Sequence, residues 1–235
     1  MRKLNNKGFA ISTVLYSLLV MATLILFLLI GNLSFERRTT NDLANEIKDE
    51  LNDYVTSSNT EVQEGQYIRV YDNYGNVTGY ATYSDGTYIR QTDTVRVVSR
   101  INNGYSIDVH NNSNSNETNI KLYQNNTSGA QYFKFTESTA SNNYYNVFKA
   151  NATNMVWDTY YNRTTANTNI QLYTLNNGNG QLFQLIETNE DGYYYIRSAL
   201  GTCVDAYGGV AQNEVNIDAY FCNSTNAQKW KLIKI

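Results

Sequence analysis

The chain has 235 residues, room for one ordinary domain with an appendage or for two small ones. Hydrophobic residues make up 42%, enough for a packed core, while charged residues reach only 17%, proline is absent and tyrosine numbers 21, so recognition falls to hydroxyls, amides and ring faces. A net charge of −3 speaks against a broad nucleic-acid footprint, and one histidine, His110, with two cysteines, Cys203 and Cys222, leaves no zinc cluster and argues against a Ser–His–Asp or Cys–His nucleophile.

The first element is an uncharged run, 8–35, rich in Leu, Ile and Val. A bilayer core of about 30 Å needs about 20 such residues as helix. A secretory signal has an apolar stretch of only about 7–15 residues and a small-residue cleavage site, and no Ala-x-Ala comes after this run. The run predicts a long transmembrane α-helix contacting lipid through 9–35. Arg2, Lys3, Lys7 and the terminal amine outnumber Arg37 and Arg38. That balance orients the N-terminus inside and the C-terminal domain outside the cell, where a disulfide can form. Beyond the span, Leu43, Ile47, Leu51 and Val55 recur every four residues. They form one apolar stripe on a continuing helix, suited to a stalk packed on its own domain or to a seam between copies.

Lys7, Gly8 and Phe9, behind a short basic leader and ahead of the apolar run, resemble a type IV prepilin processing signal. The resemblance implies cleavage after Gly8, methylation of Phe9 and pilin-like neighbours within a filament. Thr13 stands where that family usually carries a glutamate that pairs with a neighbour's amine. The departure points to a minor pilin-like subunit. A plain uncleaved single-pass anchor is the alternative. Residues 1–55 thus form the helix and stalk.

Residues 56–64 are rich in Ser, Asn, Thr and Glu and read as a linker. In 66–91, tyrosine or aliphatic residues alternate with polar ones, with Gly75-Asn76 and Asp85-Gly86 at plausible turns. Two or three strands are marginal alone, so this connector, within 56–93, is expected to lean on the C-terminal segment.

Between 94 and 235 the chain repeats itself three times. Asp108, Asp158 and Asp205 each precede a tyrosine, Tyr123, Tyr173 and Tyr220, by the same 15 residues. Each tyrosine precedes a glutamine, Gln131, Gln181 and Gln228, by 8, and an aromatic stands two residues later: Phe133, Phe183 and Trp230. The period is 50, then 47, which marks a supersecondary unit stacked or closed on its fellows. Each unit holds several short β-rich runs and no helical periodicity. Propellers typically need four or more blades, and an open solenoid needs capping repeats. Three units closing on a threefold axis suit a β-trefoil, so the fold class is all-β behind the N-terminal helix and connector.

The pattern resembles the ricin B-type lectin family, marked by three Gln-x-Trp motifs with an aspartate upstream in each repeat. Gln228-Lys229-Trp230 keeps the tryptophan and the other two copies carry phenylalanine. The resemblance implies a carbohydrate-binding trefoil and an intra-repeat disulfide between Cys203 and Cys222. It implies three site-like sets: Asp108/Lys121/Tyr123, Asp158/Gln171/Tyr173 and Asp205/Asp218/Tyr220. The middle set keeps the family's Asp, amide and aromatic. Lys121 replaces the amide in the first, either donating to a hydroxyl or pairing with Asp108, and two carboxylates face each other in the third. Ala130, Gly180 and Ala227 stand where an asparagine usually precedes the motif glutamine.

The residue chemistry points the same way. In Ile170-Gln171-Leu172-Tyr173 the alternation turns Gln171 and Tyr173 to the side opposite Ile170 and Leu172. Each repeat is therefore expected to project a polar residue and a ring off the core. A carboxylate accepts from two adjacent sugar hydroxyls and an amide both accepts and donates, while a tyrosine face suits the C–H side of a pyranose. The motif glutamines and aromatics read as structural, bonding backbone and filling the core. His110 reads as an incidental loop residue. The expected function is a membrane-anchored extracellular lectin-like protein that binds glycans or polysaccharide, as a minor pilin-like adhesin. The alternative is a structural or protein-binding pilin-like subunit whose trefoil has lost sugar binding. Neither cofactor, metal nor nucleic acid is expected. No segment is left over for a catalytic domain.

Overall fold

The computed structural model describes residues 15–26 and 65–235, and the chain divides into two compact units, Met1–Glu61 and Val62–Ile235. In the first, residues 15–26 form an α-helix with an exposed surface. Among the described residues no helix is long and apolar enough to cross a membrane. The remainder of the expected span, the processing positions Gly8 and Phe9, the stripe from Leu43 to Val55 and the linker 56–64 lie outside the described residues.

The second unit opens with an antiparallel pair, β1 (Arg69–Tyr71) and β2 (Val77–Tyr80). The turn between them is fixed by Asp72, whose side chain accepts from the Tyr74 and Asn76 amides, and by Gly75 at φ +88°. As the short strands require, the pair borrows its stability. β1 runs parallel to a trefoil strand through Val70 and Tyr71, opposite Leu185 and Ile186. The Tyr145 hydroxyl accepts from the Arg69 amide, and that of Tyr194 from Thr82.

Twelve further strands, four per repeat, build the rest of the unit. The first repeat holds β3 (Val95–Ser99), β4 (Tyr105–Val109), β5 (Thr118–Gln124) and β6 (Phe133–Glu137). The second holds β7 (Tyr145–Lys149), β8 (Met155–Thr159), β9 (Thr168–Thr174) and β10 (Phe183–Glu187). The third holds β11 (Tyr194–Ser198), β12 (Thr202–Ala206), β13 (Val215–Phe221) and β14 (Lys229–Lys234). The outer strands of each repeat close a six-stranded ring in the order β3-β6-β7-β10-β11-β14, with β14 returning to β3. The inner pairs, β4–β5, β8–β9 and β12–β13, are hairpins that touch one another cyclically through β5, β9 and β13. This is a β-trefoil.

Its core is built from equivalent positions with compensating sizes. Trp157 packs edge-on against Phe133 at 5.1 Å and Phe183 at 6.1 Å. In the third repeat the same pair of positions holds Val204 and Trp230, both buried, with Trp230 Nε1 donating to the Val204 carbonyl at 3.0 Å. Exchanging large for small at facing positions keeps the volume filled. The disulfide Cys203–Cys222 ties the β12–β13 hairpin.

Candidate functional site

Strand register decides which side chains meet. Asp108 lies opposite Lys121, Asp158 opposite Gln171 and Asp205 opposite Asp218, the same step in each hairpin. Cross-strand partners share a face, so each aspartate and its partner meet side by side. The motif glutamine then locks the hairpin to the next turn. Gln181 Oε1 accepts from the Asn176 amide at 2.8 Å while its Nε2 donates to the Thr174 carbonyl at 3.0 Å. Gln131 does the same with Asn126 and Gln124, and Gln228 with Asn223 and Phe221. Each of these amides also bonds its repeat's aspartate. All three glutamines are fully buried, the structural role read from the sequence.

The partner positions differ from the expectation of a polar residue projecting into solvent. Lys121, Gln171 and Asp218 point away from the core yet are only 4%, 4% and 1% exposed. In the first two repeats the turn after the aspartate lies against them together with a residue of another repeat: His110 and Glu214 at Lys121, and Tyr160, Tyr161, Asn162 and Glu117 at Gln171. The turns after the three aspartates, His110–Asn112, Tyr160–Asn162 and Tyr207–Gly209, each place two successive residues at positive φ: Asn111-Asn112, Tyr161-Asn162 and Gly208-Gly209. Glu117 and Glu214, and Asn167 at the equivalent position, also share a positive φ, at +63°, +71° and +58°. A glutamate in the left-handed region is uncommon and costly, so the position is held by its surroundings.

In the second repeat these parts enclose a cavity of about 250 Å³ lined by Asp158, Gln171, Tyr173, Tyr160, Tyr161, Asn162, Asn176 and Glu117. Gln171 Nε2 donates to Asp158 Oδ1 at 3.3 Å. Burial pushes the Asp158 carboxyl above its ordinary value, and the amides of Gln181 and Gln171 pull the other way. Tyr160 and Tyr161 stack edge-on at 4.3 Å, with Arg163 over both rings, and Tyr161 is 70% exposed. Asn162 Oδ1 accepts from the Gly180 amide at 2.6 Å. A Cβ at Gly180 would sit 2.7 Å from that oxygen and 2.8 Å from the Thr159 carbonyl. The position expected to hold an asparagine therefore has no room for one, and Asn162 comes in from the neighbouring turn. The site combines a held carboxylate, an amide and several rings, fit to accept vicinal hydroxyls and to stack on an apolar face.

The first repeat is arranged differently. Lys121 Nζ binds Glu214 of the third repeat and lies over the Tyr123 ring at 5.0 Å, with His110 Nδ1 at 3.1 Å. Its ion pair is with Glu214, not Asp108, and His110 belongs to this cluster and is no incidental loop residue. Asp108 is held by Gln131 at 3.2 Å. Burial raises its carboxyl, with the Gln131 bond and the nearby Lys121 charge opposing.

The third repeat holds the larger space, about 650 Å³, lined by Asp205, Tyr220, Tyr207, Gly208, Gly209 and Asn167 among others. The two glycines replace the bulk of Tyr161 and Asn162, which widens the cavity. Asp218 is buried behind Asp205, with neither carboxyl oxygen bonded. Burial and then the Asp205 charge push it up to about 7. Sequence reasoning missed the turn residues and the equivalent positions that share a positive φ. Glu117, Asn167 and Glu214 keep the same 50 and 47 period as the aspartates, so extending the comparison by one marker would have found them.

The ricin-type beta-trefoil lectin domain-like family model matches residues 87–173 and 179–235. Solved structures share the fold. A designed threefold-symmetric protein, ThreeFoil, is 21% identical with a TM-score of 0.56, covering 60% of this chain and 99% of its own. An exo-beta-1,3-galactanase from Clostridium thermocellum is also 21% identical at 0.56, over 65% of this chain and 33% of that one. The Polyporus squamosus lectin, solved with a Neu5Ac-Gal-GlcNAc epitope, is 14% identical at 0.51, over 60% and 49%. No curated protein matches the sequence. The matched residues span more than half of the chain, which belongs to the ricin-type beta-trefoil lectin domain-like family.

Proposed function

We propose that the protein is a surface-displayed carbohydrate-binding protein whose second repeat supplies the principal site. It is held at the cell membrane by the apolar segment 9–35, with the C-terminal unit outside the cell, as a minor pilin-like adhesin. The carrying observation is the Asp158 carboxylate beside the Gln171 amide in a cavity walled by Tyr160, Tyr161 and Tyr173. Family membership and the glycan held by the Polyporus lectin support the ligand class. Contacts of this open kind are weak singly and gain by multivalent display on a surface.

A glycan array probed with the Val62–Ile235 unit tests the reading. The account expects retention of a set of glycans, lost by at least about tenfold on Asp158→Ala, the worth of about one charged hydrogen bond, and weakened on Tyr173→Ala, which removes a stacking face. Retention of no glycan would overturn it. It would favour a structural or protein-binding pilin-like subunit, a reading supported by the lysine that fills the first repeat's site. N-terminal sequencing of membrane-extracted protein tests the anchor: a chain starting at Phe9 is expected, and an intact Met1 excludes pilin-type processing.

A further inference from the structure

The connector carries none of the repeat markers, yet it builds a second kind of concave surface. Strand β2 and the turn after it form one wall of a cleft of about 530 Å³; the β10–β11 turn and Lys231 of β14 form the other. The cleft shares no lining residue with the cavities of the second and third repeats. Its connector wall also precedes residue 87, where the family match begins.

Gly79 lies within β2, has no positive φ that calls for glycine, and a Cβ there would meet nothing within 4 Å. It pairs with Val70 across the strands, and cross-strand partners share a face. Both residues line the cleft, so the missing side chain leaves open the space beside Val70. A glycine inside a strand weakens it, and where neither backbone nor packing demands one it marks a close approach by another molecule. Around that space, Glu187 and Asp191 are exposed carboxylates with no side-chain partner among the described residues, while Glu190 is taken by Arg100 and Lys229. Lys231 Nζ lies over the Tyr193 ring at 4.6 Å, and the Tyr193 hydroxyl donates to Asn103 at 2.8 Å. Tyr80 is set edge-on against Tyr88 at 5.5 Å, so these lining rings are held in place before a ligand arrives. Apart from Val70 the lining has no aliphatic side chain, which leaves a peptide no apolar socket.

We infer that this cleft is a further carbohydrate site, built by the connector and the third repeat, that takes a neutral pyranose chain. Vicinal hydroxyls donate to Glu187 and Asp191, and the C–H side of a sugar ring lies along Gly79 and Tyr80. The same free carboxylates repel uronic and sialic acids. The inference goes beyond the second repeat's site and does not depend on it.

The test is an array of cello-, laminari-, malto- and galacto-oligosaccharides with sialylated and uronic-acid glycans beside them. It is probed with the full chain and with a chain carrying Asp158→Ala and Asp205→Ala, which disables the repeat sites. The doubly substituted chain is expected to retain neutral oligosaccharides and to pass over the acidic ones. Adding Glu187→Gln or Asp191→Asn should weaken that retention about tenfold, the difference between a charged and a neutral hydrogen bond. Adding Gly79→Phe should abolish it with the urea midpoint unchanged or raised, because an aromatic suits a strand better than glycine. If that variant is instead less stable, the two carboxylate variants decide. Calorimetric stoichiometry on the chain with intact repeats, expected to fall by one on Gly79→Phe, gives the same answer. Retention that survives Gly79→Phe, or equal retention of acidic glycans, would overturn the inference. Retention by the full chain alone would overturn it too and leave the second repeat's site standing. Equal retention by both chains, lost on Gly79→Phe, would support the cleft and remove the second repeat's site. A full chain that retains nothing ends both.

Discussion

Replacing Asp218 by asparagine should stabilise the protein, and by an amount that depends on pH. Asp218 is buried with no bond to either oxygen, and its carboxyl is raised from an ordinary 3.8 to about 7. A carboxyl raised on folding is neutral in both states below the unfolded value, so it carries no penalty there. As pH climbs past about 4 the unfolded chain ionises first and the penalty grows, reaching its full size above about 7. About three powers of ten in proton affinity correspond to ~4 kcal/mol at pH 8, ~2 kcal/mol at pH 5 and less than ~1 kcal/mol at pH 4. Asparagine removes the charge and supplies an N–H to Asp205, as Gln171 does to Asp158. Relaxation and water entry reduce the measured gain, so about 2–4 kcal/mol is expected at pH 8, roughly 10 °C in Tm for a unit of this size. Urea unfolding of both forms at pH 8, 5 and 4 is the assay. A stability difference that does not shrink with falling pH, or a less stable asparagine form at pH 8, refutes the reasoning.

Other perturbations have equally definite outcomes. Reducing Cys203–Cys222, which closes a loop with a sequence separation of 19, should cost about 3 kcal/mol, read as a lower urea midpoint with dithiothreitol. Gln181→Ala strands the Asn176 amide, the Thr174 carbonyl and one bond to Asp158. It should destabilise by about 3 kcal/mol with an unchanged denaturant slope. Lys121→Gln uncovers the Tyr123 ring and restores the amide of the second repeat, so the number of neutral-sugar sites measured by calorimetry should rise by one.

Much of the trefoil was legible because strand register converts distance in space into fixed offsets in sequence. Asp108, Asp158 and Asp205 recur with Tyr123, Tyr173 and Tyr220 because each hairpin has the same length and pairing. The motif glutamines were legible for a related reason: each bridges its own turn, a local contact. Burial of Lys121, Gln171 and Asp218 was not legible. Alternation along a strand tells which side a residue faces, and says nothing of a turn or a neighbouring repeat folded over that side. The bond between Lys121 and Glu214 joins residues of different repeats, a contact that only ring closure creates. The turn residue Tyr161 adopts a left-handed backbone that its side chain does not favour, so propensity pointed elsewhere.

The central claim is that the second repeat's Asp158, Gln171 and Tyr173 form the principal hydroxyl-accepting site. A crystal of the Val62–Ile235 unit soaked with a glycan selected on the array tests it most directly. The account predicts density for a pyranose with two hydroxyls on Asp158 and its C–H face on a tyrosine ring. Density for the bound sugar elsewhere, with the Asp158 cavity holding only water, would contradict it.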